Sequence, residues 1–148
     1  MKTFAIIGVC FLTTSVIAQP TNVIAKTLYA EARSEGPEGI RHVATVIYNR
    51  GSGNYNKCTQ VCLKPKQFSC WNNKTDIIVP EEVIYSKTSK WTDEQAWAFC
   101  RLVETEIQTN NFKPLGIWNH YAVNNCKVYW FKKMTNRKTF RRHTFGYL

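Results

Sequence analysis

Thr21-Asn-Val-Ile-Ala-Lys-Thr-Leu-Tyr-Ala-Glu-Ala-Arg-Ser-Glu35 decides how this chain folds and where its chemistry lies. At a helical period the stretch groups Ile24, Thr27, Leu28 and Glu31 on one face. A solvated acid would lie on the opposite face. A carboxylate buried without a cation has its charged form disfavoured, each unit of upward pKa shift corresponding to about 1.4 kcal/mol, and so becomes able to donate a proton. The alternative is that Glu31 sits at the edge of the apolar face and pairs with Arg33, Arg41 or another base.

Thr21 and Asn22 are both good caps for this first helix, which should end before Gly36. Pro37 opens a second helix with the stripe Ile40, Val43, Ala44 and Ile47, stopped by Asn49-Arg-Gly-Ser-Gly53. The tight joint from Ser34 to Gly36 sets Glu31 inward near a corner. From Gly51 to about Pro80 periodicity is weak, and three cysteines with Phe68 and Trp71 suggest a stapled loop or short hairpin. Thr92-Asp-Glu-Gln95 resembles a capping box ahead of a helical stripe of Ala96, Phe99, Cys100, Val103 and Ile107. Gly116-Ile-Trp-Asn-His-Tyr-Ala-Val123 is rich in strand formers. The expected class is α+β, mainly helical, with a small β-containing lobe.

Lys2 precedes an apolar run from Phe4 to Ile17 that is short for a membrane span, and Val16-Ile-Ala18 offers small residues for cleavage. Residues 1–18 are expected to be a cleaved signal peptide, with 19–148 a single catalytic domain and no stable membrane insertion after cleavage. Of six cysteines, Cys10 falls in that signal, leaving Cys58, Cys62, Cys70, Cys100 and Cys126. Export favours disulfides, and an odd count allows at most two bridges and one free thiol in a monomer. Nothing implies an oligomer.

The net charge is +10, and loss of Lys2 with the signal leaves +9. For an exported chain this points to wall polymers, anionic lipid or acidic glycan as partners, not to nucleic acid. The bases are densest in Lys132-Lys-Met-Thr-Asn-Arg-Lys-Thr-Phe-Arg-Arg-His143.

Leu28-Tyr-Ala-Glu-Ala-Arg-Ser-Glu35, then Pro37-Glu-Gly39 and Val43-Ala-Thr-Val-Ile-Tyr-Asn-Arg50, resemble the opening YGEARGE, PxEG and VAxVIxNR blocks of cell-wall hydrolases of the SleB spore cortex-lytic type. Gln67-Phe-Ser-Cys-Trp71 is similar to that family's QFSC loop, His120-Tyr121 to its HY pair, and His143-Thr-Phe145 with Tyr147 to its closing HxFY. Three departures stand out: Ser34 replaces a glycine, Gly146 separates Phe145 from Tyr147, and Asn124 to Trp130 lack the family's proline-rich wording. The resemblance implies a lysozyme-like fold, peptidoglycan glycan strands as substrate and Glu31 as the single essential acid; the N-terminal signal leads to the expectation of a secreted or periplasmic, wall-associated location.

Cleaving a glycosidic bond requires a neutral acid for the leaving oxygen and a means of quenching the oxocarbenium-like centre. Glu31 meets the first need. A hydrolytic muramidase would require a second carboxylate, from Glu35, Glu38 or Asp76, of which Glu35 and Glu38 read better as structural. A lytic transglycosylase avoids the second group, because the 6-hydroxyl of muramic acid attacks and leaves a 1,6-anhydro end; the resemblance leans this way. Gln67, Phe68, Trp71, Trp118, His120 and Tyr121 are the candidate substrate-binding residues, whereas Tyr29 and Phe145 read as packing and Asn49 and Arg50 as shaping the fold. Two rivals are a cysteine amidase using His120 or His143 as base and a non-catalytic basic wall-binding protein. Cys58-x3-Cys62-x7-Cys70 fits no strong zinc pattern, and no cofactor or metal is implied.

Overall fold

The first helix, α1 (Val23–Ala32), is buried over every residue from Val23 to Tyr29. Three further helices pack on it: α2 (Gly36–Arg50), α3 (Tyr55–Leu63) and α4 (Asp93–Gln108). This computed structural model describes residues 20–148, so the expected signal Met1–Ala18 and Cys10 lie outside the described residues. The fold is α+β and mainly helical, as the patterning predicts.

Ile24, Thr27 and Leu28 are fully buried, as the stripe requires, but α1 has no solvated back. Even Lys26 is only 7 % exposed, its Nζ 2.6 Å from Asp76 Oδ1. Nor do the expected caps operate. Asn22 takes a left-handed φ of 53° and makes no capping bond. Instead Glu104 of α4 accepts the amides of Ile24 and Ala25, both at 3.3 Å, and the Tyr55 hydroxyl at 3.1 Å. One carboxylate thereby joins α1, α3 and α4.

A 3₁₀ turn at Arg33–Glu35 links α1 to α2. Ser34 is absent from the residues with positive φ, so the serine is tolerated where the resembled family has glycine. Gly39 permits a close approach: a Cβ there would collide with the Cβ of Glu35 and lie 3.3 Å from the Phe140 ring. On α4, the Thr92 hydroxyl accepts the Gln95 amide at 3.3 Å, the expected cap.

The segment read as a stapled loop is in fact opened by α3. Asn54 caps it by accepting the Lys57 amide at 3.0 Å, and Cys58 and Cys62, one turn apart, are fully buried. Cysteine here packs as a small apolar residue, so the stripe was hidden by residues that read as bridge partners. The expected bridges do not form: Cys58, Cys62, Cys70, Cys100 and Cys126 are all free.

At the C-terminal end, β1 (His120–Val123), β2 (Thr135–Phe140) and β3 (His143–Tyr147) form an antiparallel sheet in the order β1-β3-β2. The strand is shorter than its β-rich stretch because Asn49 Nδ2 holds the carbonyls of Gly116 and Trp118, at 3.0 and 2.7 Å, before strand pairing begins. Gly146 leaves room for Met134, whose Cβ would stand 2.9 Å from an added methyl. His42 of α2 stacks between Trp118 and Phe140, with ring centroids 5.4 and 4.6 Å away, and fixes the sheet against the helices. The register sets Tyr121 opposite Phe145 and aims it back at α1. No helix among the described residues is long and apolar enough to cross a membrane.

Candidate active site

Glu31 emerges from the buried face of α1 where two hollows meet. One is lined by Tyr29, Arg33, Lys74, Asp76 and Ile78, the other by Arg50, Lys66, Gln67, His120, Tyr121 and Trp130; Glu31 and Ser69 belong to both. Together they make a continuous cleft with the acid at its centre.

The neighbouring bases do not neutralise Glu31. Arg33 turns to Asp93 at 3.8 Å, Arg41 to Glu106 at 2.7 Å, and Glu31 enters no ion pair among the described residues. It is held instead by a neutral donor. The Tyr121 hydroxyl donates to Glu31 Oε2 at 2.8 Å, and Cys70 lines the cleft beside the same carboxylate. Burial, reinforced by Glu31, keeps the Tyr121 phenol well above its ordinary pKa, so it remains a donor. Tyr121 is in turn stacked on Phe145, centroids 5.5 Å apart.

The other nearby carboxylates are committed elsewhere. Glu35, 6 % exposed, accepts Arg142 Nε at 2.8 Å. Asp76 is bonded to Lys26 and to the Ile77 amide, which lower its pKa and hold it ionised.

The opposite wall is the turn around a 3₁₀ segment, Ser69–Trp71. Trp71 Nε1 donates to Thr27 Oγ1 at 2.8 Å, one helical turn before Glu31, and pins this wall to α1. Arg50 braces the far side, donating from Nε to the Asn119 carbonyl at 2.5 Å and from Nη1 to Gln67 Oε1 at 2.8 Å.

Of the six residues expected to bind substrate, Gln67, His120 and Tyr121 share the cleft with Glu31. Phe68, Trp71 and Trp118 do not: all three are buried, Trp118 donating its indole hydrogen to the Asn136 carbonyl at 3.1 Å. Aromatics in a motif can face a sugar or a core, and here packing claims them. The sequence reading missed Lys66, Ser69, Cys70, Lys74 and Trp130 as cleft residues, and Arg50 does more than shape the fold. Lys66 and Lys74 flank the quoted Gln67 to Trp71 block, a positional signal that could have found them.

Among the thiols, burial pushes Cys58 up to about 11 and Cys62 and Cys70 up to about 12, and raises Cys100 well above its ordinary value. Protonated thiols are poor nucleophiles, which weighs against a cysteine amidase.

A family model described as Cell Wall Hydrolase matches residues 34–146. The chain belongs to the cell-wall hydrolase family. Membership implies a hydrolase acting at the wall, with peptidoglycan as substrate. Gln67, His120 and Tyr121 lie inside the matched stretch of this cell-wall hydrolase, and Glu31 stands just ahead of it. No curated protein and no solved structure matches the chain.

Proposed function

We propose that this cell-wall hydrolase is exported by Met1–Ala18 and cuts the MurNAc-GlcNAc bond of peptidoglycan as a lytic transglycosylase of the SleB type, with Glu31 as its only acid and base. The observation that carries the reading is a carboxylate at the centre of an open cleft, oriented by Tyr121 and paired with no cation among the described residues.

In this mechanism, protonated Glu31 gives its hydrogen to the bridging oxygen as the muramic C1–O bond breaks. The 6-hydroxyl of the same muramic acid then attacks C1 and loses its proton to the Glu31 carboxylate, which closes the 1,6-anhydro ring and restores the acid. Tyr121 holds the carboxyl group in one orientation through both steps, and Gln67 and His120 offer hydrogen bonds to sugar. A positioned acid of this kind contributes roughly 10²–10⁴-fold to rate.

Asp76 favours one second reading. It is ionised and lines the same cleft, so it could act as base for water in a hydrolytic muramidase. Digestion of purified peptidoglycan by wild type, Glu31→Gln and Asp76→Asn, with the muropeptides read by mass spectrometry, separates the two. Anhydro-muramyl ends that need Glu31 but survive Asp76→Asn support the transglycosylase; reducing ends that need both residues support hydrolysis. Identical products from wild type and Glu31→Gln would refute either mechanism.

A further inference from the structure

Arg50 is a half-buried guanidinium without a counter-charge. The ion pairs among the described residues are Lys26–Asp76, Arg33–Asp93, Arg41–Glu106, Arg101–Glu82 and Arg142–Glu35, and none includes Arg50. Its Nε and Nη1 bind neutral oxygens, and Nη2 has no hydrogen-bond partner among the described residues. Burial already lowers its pKa, a sign that the charge is held at some cost. Glu31 lines the same hollow but forms no ion pair with it.

A second cation stands at the lip of that hollow. Lys66 is exposed and unpaired among the described residues, and its backbone is held at a φ of 64°, a conformation that non-glycine residues adopt at a cost. Gln67, His120 and Trp130 line the same hollow, the last two with ring centroids 5.5 Å apart. An amide, an imidazole and an indole suit a sugar ring; an uncompensated guanidinium and a lysine lining one hollow suit an anion attached to that ring.

We propose that this half of the cleft binds the carboxylate carried on the muramic acid side chain, with Arg50 Nη2 and Lys66 Nζ as its donors. The proposal rests on the glycosidase reading of Glu31. Two forms of the wall supply this chemistry: the bare lactyl carboxylate of a peptide-free strand, and the carboxylates of an attached stem peptide. In either form the anion seats the muramic residue next to Glu31 and fixes which sugar enters each side of the cleft.

The test compares kcat/KM on three preparations: peptide-bearing glycan strands, strands stripped by an amidase, and strands whose carboxylates have been blocked as ethanolamides. Blocking should lower wild-type kcat/KM about tenfold, chiefly through KM, as expected for loss of a charge-assisted contact. Lys66→Met should lose several-fold on strands with free carboxylates and much less on blocked ones. Arg50→Gln should repeat the pattern, its fold checked by circular dichroism because Arg50 also holds Asn119 and Gln67. Preference for stripped strands assigns the lactyl carboxylate, and preference for peptide-bearing strands assigns the stem. Equal cleavage of blocked and unblocked strands, or an equal loss on both from Lys66→Met, overturns the proposal. Cleavage of none of the three overturns the glycosidase reading beneath it.

Discussion

Tyr121 donates its phenolic hydrogen to Glu31 at 2.8 Å, joining residues 90 positions apart in the chain. The acid is carried by the first helix and its orienting donor by the first strand, so the site exists only once the sheet has docked. Removing the hydroxyl while keeping the ring tests that link. Tyr121→Phe preserves the stacking on Phe145 and should lower kcat about ten- to a hundredfold, the range of a hydrogen bond to a charged group, while costing only about 1 kcal/mol of stability. Initial rates of wall solubilisation across pH, beside urea melts, give both numbers; an unchanged rate would mean that the bond does not orient the acid.

Glu31 and Glu35 are separated by one turn and should behave oppositely. Glu35→Gln breaks a pair whose arginine is largely exposed, so the loss is modest, about 1–2 kcal/mol, with cleavage retained. Glu31→Gln should abolish cleavage with stability within about 1 kcal/mol of wild type, or slightly above it. A Glu35→Gln protein that melts normally yet fails to cut would reassign the chemistry.

Glu104 tests the three-helix junction. Truncation to alanine leaves two α1 amides and the Tyr55 hydroxyl without their acceptor, and should cost about 2–4 kcal/mol. Burial raises the Glu104 pKa above 4.5, with Tyr55 and the α1 amides opposing. A raised carboxyl binds its proton more tightly in the folded state, so its contribution is complete below the unfolded pKa and declines as pH rises through the folded value. The gap between wild type and Glu104→Ala should therefore be wider at pH 4.5 than at pH 7 in urea titrations.

The histidines have the reverse sign in a different window. Burial, with Arg50 adding to it, lowers His120; burial also lowers His143, where Glu35 partly opposes and Arg142 assists. The fold thus prefers both rings neutral, and stability present above their unfolded pKa near 6.5 is lost as pH falls through the folded values. Thermal melts of wild type should decline from pH 7.5 to 5.5, and His143→Asn should flatten part of that slope. A slope unaltered by the substitution would place the proton uptake elsewhere.

Cys58, Cys62, Cys70 and Cys100 should resist alkylation in the native state. Intact mass after iodoacetamide at pH 8 should show none of these four modified, and all of them modified after unfolding in guanidinium. Full native labelling at Cys70, which lines the cleft, would mean that its thiol ionises more readily than its surroundings imply.

What could be read from the chain followed from local rules. The stripe from Ile24 to Glu31 carries its helical period openly, and the inward acid follows from it. The hydroxyl of Thr92 marks a helix start by itself. The third helix was hidden because Cys58 and Cys62 have two physical meanings, bridge and packing, that only their surroundings separate. Trp118 likewise reads equally as sugar platform or core until His42 is found stacked on it. Arg50 reads as the end of a helix; its bond to Gln67, 17 residues further along the chain, is encoded by no local pattern.

The Trp71 to Thr27 bond has a consequence for how such an enzyme changes over time. It fastens the turn at Ser69–Trp71 to α1 through one indole, and the exposed Lys66 and Lys74 lie on either side of that turn. The exposed lysines on either side can be exchanged or recharged without disturbing the helix that carries Glu31. On the proposed function, preference for one wall chemistry over another can drift there while Glu31 stays where it is.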